Sequence, residues 1–186
     1  MIRLIGGTHG GRVLRAPPGL TTRPTGARIR KALFDILGPR VVGARVADLF
    51  AGSGALGLEA LSRGAASADL HESGRQALAT LANNVADLGL ADRATVVPGA
   101  LPASIAPGPA WDLVLLDPPW RAGHEAPVLA RLLAANRLAP DSLVVLERDA
   151  RDDVPEAAAR THGFTISDTR HYGDTSLLIL APPART

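Results

Sequence analysis

Apolar residues along this chain recur with two different periods, and the places where the period changes divide it into elements. Residues 1–22 mix short apolar pieces with Gly and Pro (IGGTHGG, APPGL), which predicts one or two short strands joined by turns. Thr22 and Thr25 flank Pro24 as a helix start, and Ile29, Leu33, Ile36 and Leu37 then recur at spacings of three and four until Gly38-Pro39 stops them. The opposite face of this amphipathic helix carries Arg28, Lys31 and Asp35, with Arg30 nearby, so its basic residues are expected to point away from the core. From residue 44 short apolar runs alternate with helical periodicity, predicting strands over 44–50, 67–72, 94–98, 111–117 and 141–147 with helices between them. The clearest helix is 74–88, where Ala77, Leu78, Leu81, Val85 and Leu88 form one stripe that ends at Gly89. This alternation is the mark of βαβ units and an α/β fold built on a parallel sheet. The carboxyl end departs from it: FTISDTRH and SLLILA are two strand-like runs joined by Tyr172-Gly173-Asp174-Thr175 without a helix, which predicts an antiparallel hairpin.

Composition narrows the chemistry. At 186 residues the chain is sized for one core and one active site. It contains no Cys, which removes disulfides, thiol nucleophiles and Cys-ligated zinc, and its five histidines show no ligand spacing, so no metal is expected. The amino terminus lacks an apolar signal region, and no stretch reaches the roughly 18 apolar residues of a membrane span, so a cytoplasmic protein is the expectation. The net charge of +2 hides a split: residues 1–45 hold nine Lys/Arg against one acid, Asp35, while the remainder holds eleven basic and seventeen acidic groups. That asymmetry suggests a polyanion-facing arm, residues 1–40, on an acidic globular body, residues 41–186.

Two segments carry candidate chemistry. Asp48-Leu49-Phe50-Ala51-Gly52-Ser53-Gly54-Ala55-Leu56-Gly57 joins the first strong strand to a helix and contains a GxGxxG. Its glycines let backbone approach a ligand, and the amides at the helix start offer donors at a positive dipole end. Such a turn suits a phosphate or the carboxylate of methionine, and Asp48 at the strand end is placed to hold an ammonium group. Glu72, twenty residues after Gly52, ends the second strand where an acid accepts hydrogen bonds from ribose hydroxyls. Gly99 and Ala100, after the third strand, lie where an adenine ring would rest, with only backbone donors at Gly99. This set alone does not separate NAD from S-adenosylmethionine.

Asp117-Pro118-Pro119-Trp120, after the fourth apolar run, discriminates between them. An exocyclic amine on a heteroaromatic ring is a poor nucleophile because its lone pair is delocalised. Two acceptors aimed at its hydrogens, the Asp117 carboxylate and the Pro118 carbonyl, favour a geometry in which that lone pair faces an electrophilic methyl. The prolines fix φ and remove two amide donors, and Trp120 offers a face on which a base stacks. With the hairpin-closed sheet, this segment indicates the Rossmann-like layout of the class I methyltransferases, mostly parallel with a C-terminal antiparallel hairpin and here a short basic N-terminal extension.

With these residues in view, the chain resembles the RsmD family, bacterial 16S ribosomal RNA guanine-N2 methyltransferases. The resemblance covers nearly the whole length: DLFAGSGALGLEALSRGA and LLDPPW, an opening Arg3-Leu4-Ile5-Gly6-Gly7 with Gly11-Arg12 downstream, and Arg23-Pro24-Thr25 followed by Arg28, Arg30 and Leu33-Phe34. It implies S-adenosylmethionine as cofactor, 16S ribosomal RNA of the small subunit as partner, and docking of that RNA by Arg3, Arg12, Arg23, Thr25, Arg28, Arg30 and Lys31. A flipped-out guanine would meet Asp117 to Trp120, and a monomer is expected. Two other readings stay open: an amino methyltransferase for DNA adenine or a protein glutamine amide, where Asn is commoner than Asp at position 117, and an NAD-binding oxidoreductase or non-catalytic nucleotide-binding module using the same Gly-rich loop.

Overall fold

The computed structural model describes residues 2–17 and 26–184; Arg23 and Thr25 fall outside them. In chain order the elements are β1 (Ile2–Arg3), β2 (Val13–Leu14), α1 (Gly26–Leu37), β3 (Arg45–Leu49), α2 (Ala55–Ser62), β4 (Ser67–Glu72), α3 (Arg75–Asp87), β5 (Ala94–Pro98), β6 (Trp111–Leu116), α4 (Glu125–Ala134), β7 (Leu138–Asp149), α5 (Val154–Thr161), β8 (Thr165–Tyr172) and β9 (Thr175–Ala181). β1 and β2 form a small antiparallel ladder. The other seven strands form one sheet in the order β5-β4-β3-β6-β7-β9-β8. β3 to β7 are mutually parallel, while β9 runs antiparallel to β7 and to β8, which gives the hairpin expected at the carboxyl end.

Period-two alternation explains why the sheet is covered on both faces. Leu113 and Leu115 of β6 join Val46, Leu70, Leu58, Leu61 and Leu81 in one buried cluster, which also takes Ile29, Leu33, Phe34 and Leu37 of α1 and Leu4 and Leu14 of the arm. Val114 and Leu116 point the other way, into a cluster with Leu49, Val144, Leu146, Val128, Leu129, Leu132 and Phe164 under α4 and α5. Leu115, Val114 and Leu58 are fully buried, and each such aliphatic side chain contributes about 1.5–3 kcal/mol on leaving water. The basic arm therefore shares the apolar core of the body.

The strands fall where periodicity puts them, except that β7 is longer than expected at both ends. Its extension to Asp149 carries the chain to the carboxyl edge of the sheet. At the outer edge, β8 is interrupted by a register shift between Ile166 and Asp168.

The strand order fixes where a ligand sits. The chain runs outward from β3 to β4 and β5, then returns to β6 on the other flank of β3, so order reverses between β3 and β6. Open α/β sheets bind ligands beyond the carboxyl ends of the strands at such a reversal. Leu49 pairs with Leu116 in register, which brings Phe50 and Asp117 out side by side just past the edge.

Candidate active site

β3 ends at Leu49 and the chain enters a tight turn with three left-handed residues, Phe50 (φ 69°), Gly52 (φ 56°) and Gly54 (φ 81°). Gly54 is the left-handed cap from which α2 starts, and a Cβ there would lie 2.5 Å from Leu81 Cδ1, so α3 packs directly on this backbone. A Cβ on Gly52 would meet nothing within 4 Å, so that stretch of backbone borders an open cradle. Phe50 bears the left-handed cost without glycine's freedom, of order 1–2 kcal/mol, and its ring lies tilted against His124 at 5.2 Å. The Ala51 amide donates to the His71 carbonyl (2.9 Å) and the Gly54 amide to the Ala51 carbonyl (2.7 Å). Asn84 Nδ2 donates to the Ser53 carbonyl at 2.9 Å.

Three carboxylates reach this turn from adjacent strands. Glu72 Oε2 accepts the Gly52 amide at 2.9 Å while its Oε1 accepts the amides of Ser73 (2.8 Å) and Gly74 (2.7 Å). Asp48 lies beneath the turn, 1% exposed, with Oδ2 accepting the Gly57 amide at 2.8 Å. Burial pushes the Asp48 carboxyl up to about 7; the Gly57 amide opposes that rise, and the nearby Asp117 and Glu72 charges add to it. Asp48, expected at the strand end as a partner for an ammonium group, lies there in β3, with its carboxyl buried under the loop. The third carboxylate, Asp117, is half-buried, and its amide makes a long bond of 3.4 Å to the Leu49 carbonyl. A cluster of acids in a partly desolvated edge favours a cationic ligand.

Beside the cluster, the Gly99 amide donates to the Glu72 carbonyl at 2.9 Å. With φ of 138° and Ser104 Cβ 3.2 Å from where a Cβ would stand, position 99 is shaped for glycine. The Ala100 carbonyl accepts the Ser104 amide at 3.0 Å. His71 is buried in β4, bonded through Nδ1 to Ser104 Oγ at 3.0 Å and edge-on to Trp111. Burial lowers its pKa to about 4, against the raising effect of Asp69.

On the other flank, Pro118 is buried, Pro119 is exposed and Trp120 is half-buried. Arg121 follows in a left-handed conformation (φ 59°), and its Nη2 meets Asp149 Oδ2 at 2.8 Å. Asp149 ends β7, and the Arg151 amide first, then the Arg151 and Arg121 guanidinium groups, hold its carboxyl below the ordinary range against the opposing effect of burial. A cavity of about 410 Å³ opens there, lined by Arg121, Gly123, Glu125 and Arg151.

Known proteins resemble this chain over most of its length. The family described as conserved hypothetical protein 95 matches residues 2–181. Ribosomal RNA small subunit methyltransferase D of Escherichia coli is 39% identical over 158 residues, 85% of this chain and 80% of that protein. The chain belongs to the RsmD family of methyltransferases. Its Haemophilus influenzae relative of the same name is 33% identical over 152 residues, 80% of this chain and 79% of that protein. Among solved structures, the candidate methyltransferase yhhF of Escherichia coli superposes with a TM-score of 0.85 at 37% identity, covering 99% of both chains. A ribosomal protein L11 methylase from Lactobacillus delbrueckii, at 21% identity and TM-score 0.75 over 94% of this chain and 88% of that one, shares the class I fold.

Within this RsmD-family fold, the loop residues Phe50 to Gly57, Glu72, Gly99 and Ala100 come together along the β3–β4–β5 flank, and Asp117 to Trp120 along β6. Arg3 and Arg12 lie exposed on the arm, and Arg28 and Lys31 lie exposed on α1, Lys31 paired with Asp35 at 2.6 Å. Arg30 is a correction: only 7% exposed, it turns into the body, donating to the Arg3 carbonyl with its Nε 3.8 Å from Glu59. The physical reason is Glu59, fully buried on α2, which accepts the amides of Ile5 (2.7 Å) and Gly6 (2.9 Å) and the Arg63 guanidinium (2.7 Å). A single acid inside the apolar run GALGLEALS was the signal for this anchor, and Asn84 in the apolar stripe of α3 was its counterpart. Among the described residues no group of acids and histidines is arranged to hold a metal, and no helix is long and apolar enough to cross a membrane.

Proposed function

We propose that this chain transfers the methyl group of S-adenosylmethionine to the exocyclic N2 amine of a guanine in 16S ribosomal RNA of the small subunit. The observation that carries the reading is the emergence of Asp117-Pro118-Pro119-Trp120 beside Phe50, at the strand-order reversal and next to the carboxylates of Asp48 and Glu72. The residues fit the cofactor: the open cradle at Gly52 admits its methionine portion against loop amides, and the acid cluster suits its two positive groups. Glu72 sits where it would exchange its Gly52 bond for the ribose hydroxyls, and Gly99 and Ala100 would flank the adenine. Bound there, S-adenosylmethionine supplies an electrophilic sulfonium methyl.

The protein's part is orientation. The Asp117 carboxylate and the Pro118 carbonyl accept the two N2 hydrogens, turning the nitrogen lone pair toward the methyl group. As nitrogen gains positive charge its protons become acidic, and Asp117 is placed to stabilise that charge and hold a departing proton. Trp120 provides the stacking face for a base taken out of its helix. The cavity between Arg121 and Arg151 leaves room for the flanking nucleotide, and Arg3, Arg12, Arg28 and Lys31 supply charge for the RNA backbone. The test is transfer of labelled methyl groups to small subunits from cells lacking the gene, with the product nucleoside identified by mass spectrometry. N2-methylguanosine in 16S RNA is expected; label entering DNA adenine but not the subunit would overturn the reading.

A further inference from the structure

Asn84 is 1% exposed, yet it sits on α3 in line with the apolar residues that cover the sheet. Its Oδ1 accepts the Arg15 amide at 2.9 Å, and its Nδ2 donates to the Arg15 carbonyl at 3.0 Å and to the Ser53 carbonyl at 2.9 Å. Both amide hydrogens are used, and the pair of bonds to Arg15 treats one residue of the arm as a strand would treat its partner. One turn earlier on the same helix face, Leu81 backs Gly54. One turn later, Asp87 takes the Arg15 guanidinium at 2.9 Å, and its carbonyl takes Arg12 Nη2 at 2.8 Å. Three successive positions of one helix face thus hold the Gly-rich turn, then the turn and the arm together, then the arm.

We infer that Asn84 is a positioning residue that ties the basic arm to the cofactor loop, so that the two are ordered together. Nothing in helix stability calls for a buried carboxamide here. An apolar side chain would cover the sheet as well, but would leave the Ser53 carbonyl and both polar groups of Arg15 without these bonds, the costly alternative for buried backbone. The carboxamide also ignores the Arg15 side chain, so the tie is to the arm's path. The tie works in both directions: a ligand that fixes the loop orders the arm, and RNA that holds the arm favours cofactor binding by the same factor. This inference rests on the reading of the Gly-rich turn as the cofactor seat.

Hydrogen exchange on the intact protein tests it without any substitution. Calorimetry first establishes whether S-adenosylhomocysteine binds one-to-one; if it does not, the functional reading itself fails. Given binding, saturation with S-adenosylhomocysteine should slow exchange of the Arg15 amide several-fold, although the cofactor seat lies on the far side of Asn84. Unchanged Arg15 exchange in the bound protein would overturn the tie while leaving the cofactor reading intact. Asn84→Ala should weaken S-adenosylhomocysteine about tenfold, the effect of leaving the Ser53 carbonyl without its donor, and should abolish the cofactor's influence on Arg15. Asn84→Asp keeps the acceptor for the Arg15 amide but loses the donors to both the Ser53 and Arg15 carbonyls, so it should retain part of the Arg15 amide protection while losing cofactor affinity. Variants that lose stability but keep tight binding and full coupling would show a purely structural residue and refute the proposal.

Discussion

Replacing Asp48 by Asn removes a charge and almost no volume, which makes it the sharpest probe of the acid cluster. The carboxamide oxygen introduced by Asp48→Asn would still accept the Gly57 amide, now 2.8 Å from Asp48 Oδ2. In the native protein the carboxyl titrates near 7, against about 3.9 when unfolded. The folded state therefore binds a proton more readily between these values, and the stability contributed by the protonated acid is present below about pH 4 and lost as pH rises through 7. A shift of roughly three units corresponds to about 4 kcal/mol at most. Asn resembles the protonated acid at every pH, apart from an extra donor whose imperfect burial costs about 1–3 kcal/mol. Asp48→Asn should therefore be less stable than the native protein near pH 4 and more stable at pH 8, the difference moving by up to about 4 kcal/mol in favour of Asn. For a domain of this size that is on the order of 10 °C in melting temperature. Melting curves of both proteins from pH 4 to 9 check it. Calorimetry at pH 8 should show S-adenosylmethionine losing more affinity than S-adenosylhomocysteine, because only the former carries the sulfonium charge. Parallel stability profiles across this range would refute the argument that Asp48 is an uncompensated buried charge awaiting a cation.

The remaining expectations follow from single groups. His71 works in the opposite sense to Asp48: its folded pKa of about 4 lies below the ordinary 6.5, so its contribution is complete above pH 6.5 and lost as pH falls toward 4. His71→Gln, measured by denaturant unfolding at pH 4.5 and 7.5, should show a smaller loss of stability on acidification than the native protein. Glu59→Ala leaves two arm amides and the Arg63 guanidinium without their buried acceptor and Arg30 without its counter-charge, and should cost about 3–5 kcal/mol, read in chemical denaturation. Asp117→Ala should abolish methyl transfer while S-adenosylhomocysteine affinity changes less than about threefold; loss of cofactor binding alone would contradict the assignment of the acceptor loop. The double charge reversal Arg28→Glu, Lys31→Glu should weaken RNA binding and flatten its dependence on salt in filter-binding titrations.

Most of the architecture was legible in the chain because two simple periods wrote it. Alternation marked β3 to β7 and the hairpin, and the spacing of Leu81, Val85 and Leu88 marked α3. The irregular segment from Asp117 to Trp120 after β6 was legible because prolines restrict backbone and so advertise where a strand ends. Side-chain direction at the arm was not. Arg30 sits one residue from outward-facing Lys31, and periodicity at that resolution does not assign it a face; its direction depends on Glu59, twenty-nine residues away and wholly buried. The same holds for Asp48, whose depth is set by the Gly57 amide folding over it, and for Glu72, whose three amide partners come from turns rather than from any repeating pattern.

The interruption in β8 bears on how this molecule meets copies of itself. An exposed outer strand of eight residues offers a template on which another strand adds, and long flat edges aggregate in this way. Here the shift between Ile166 and Asp168 breaks the row of unpaired backbone groups near its start, and directly after it Asp168 and Arg170 form an ion pair at 2.8 Å that an added strand would have to cover. The opposite border, β5, is only five residues long and ends in Pro98, which has no amide to donate. Both borders of the sheet thus resist extension by a strand of a second copy.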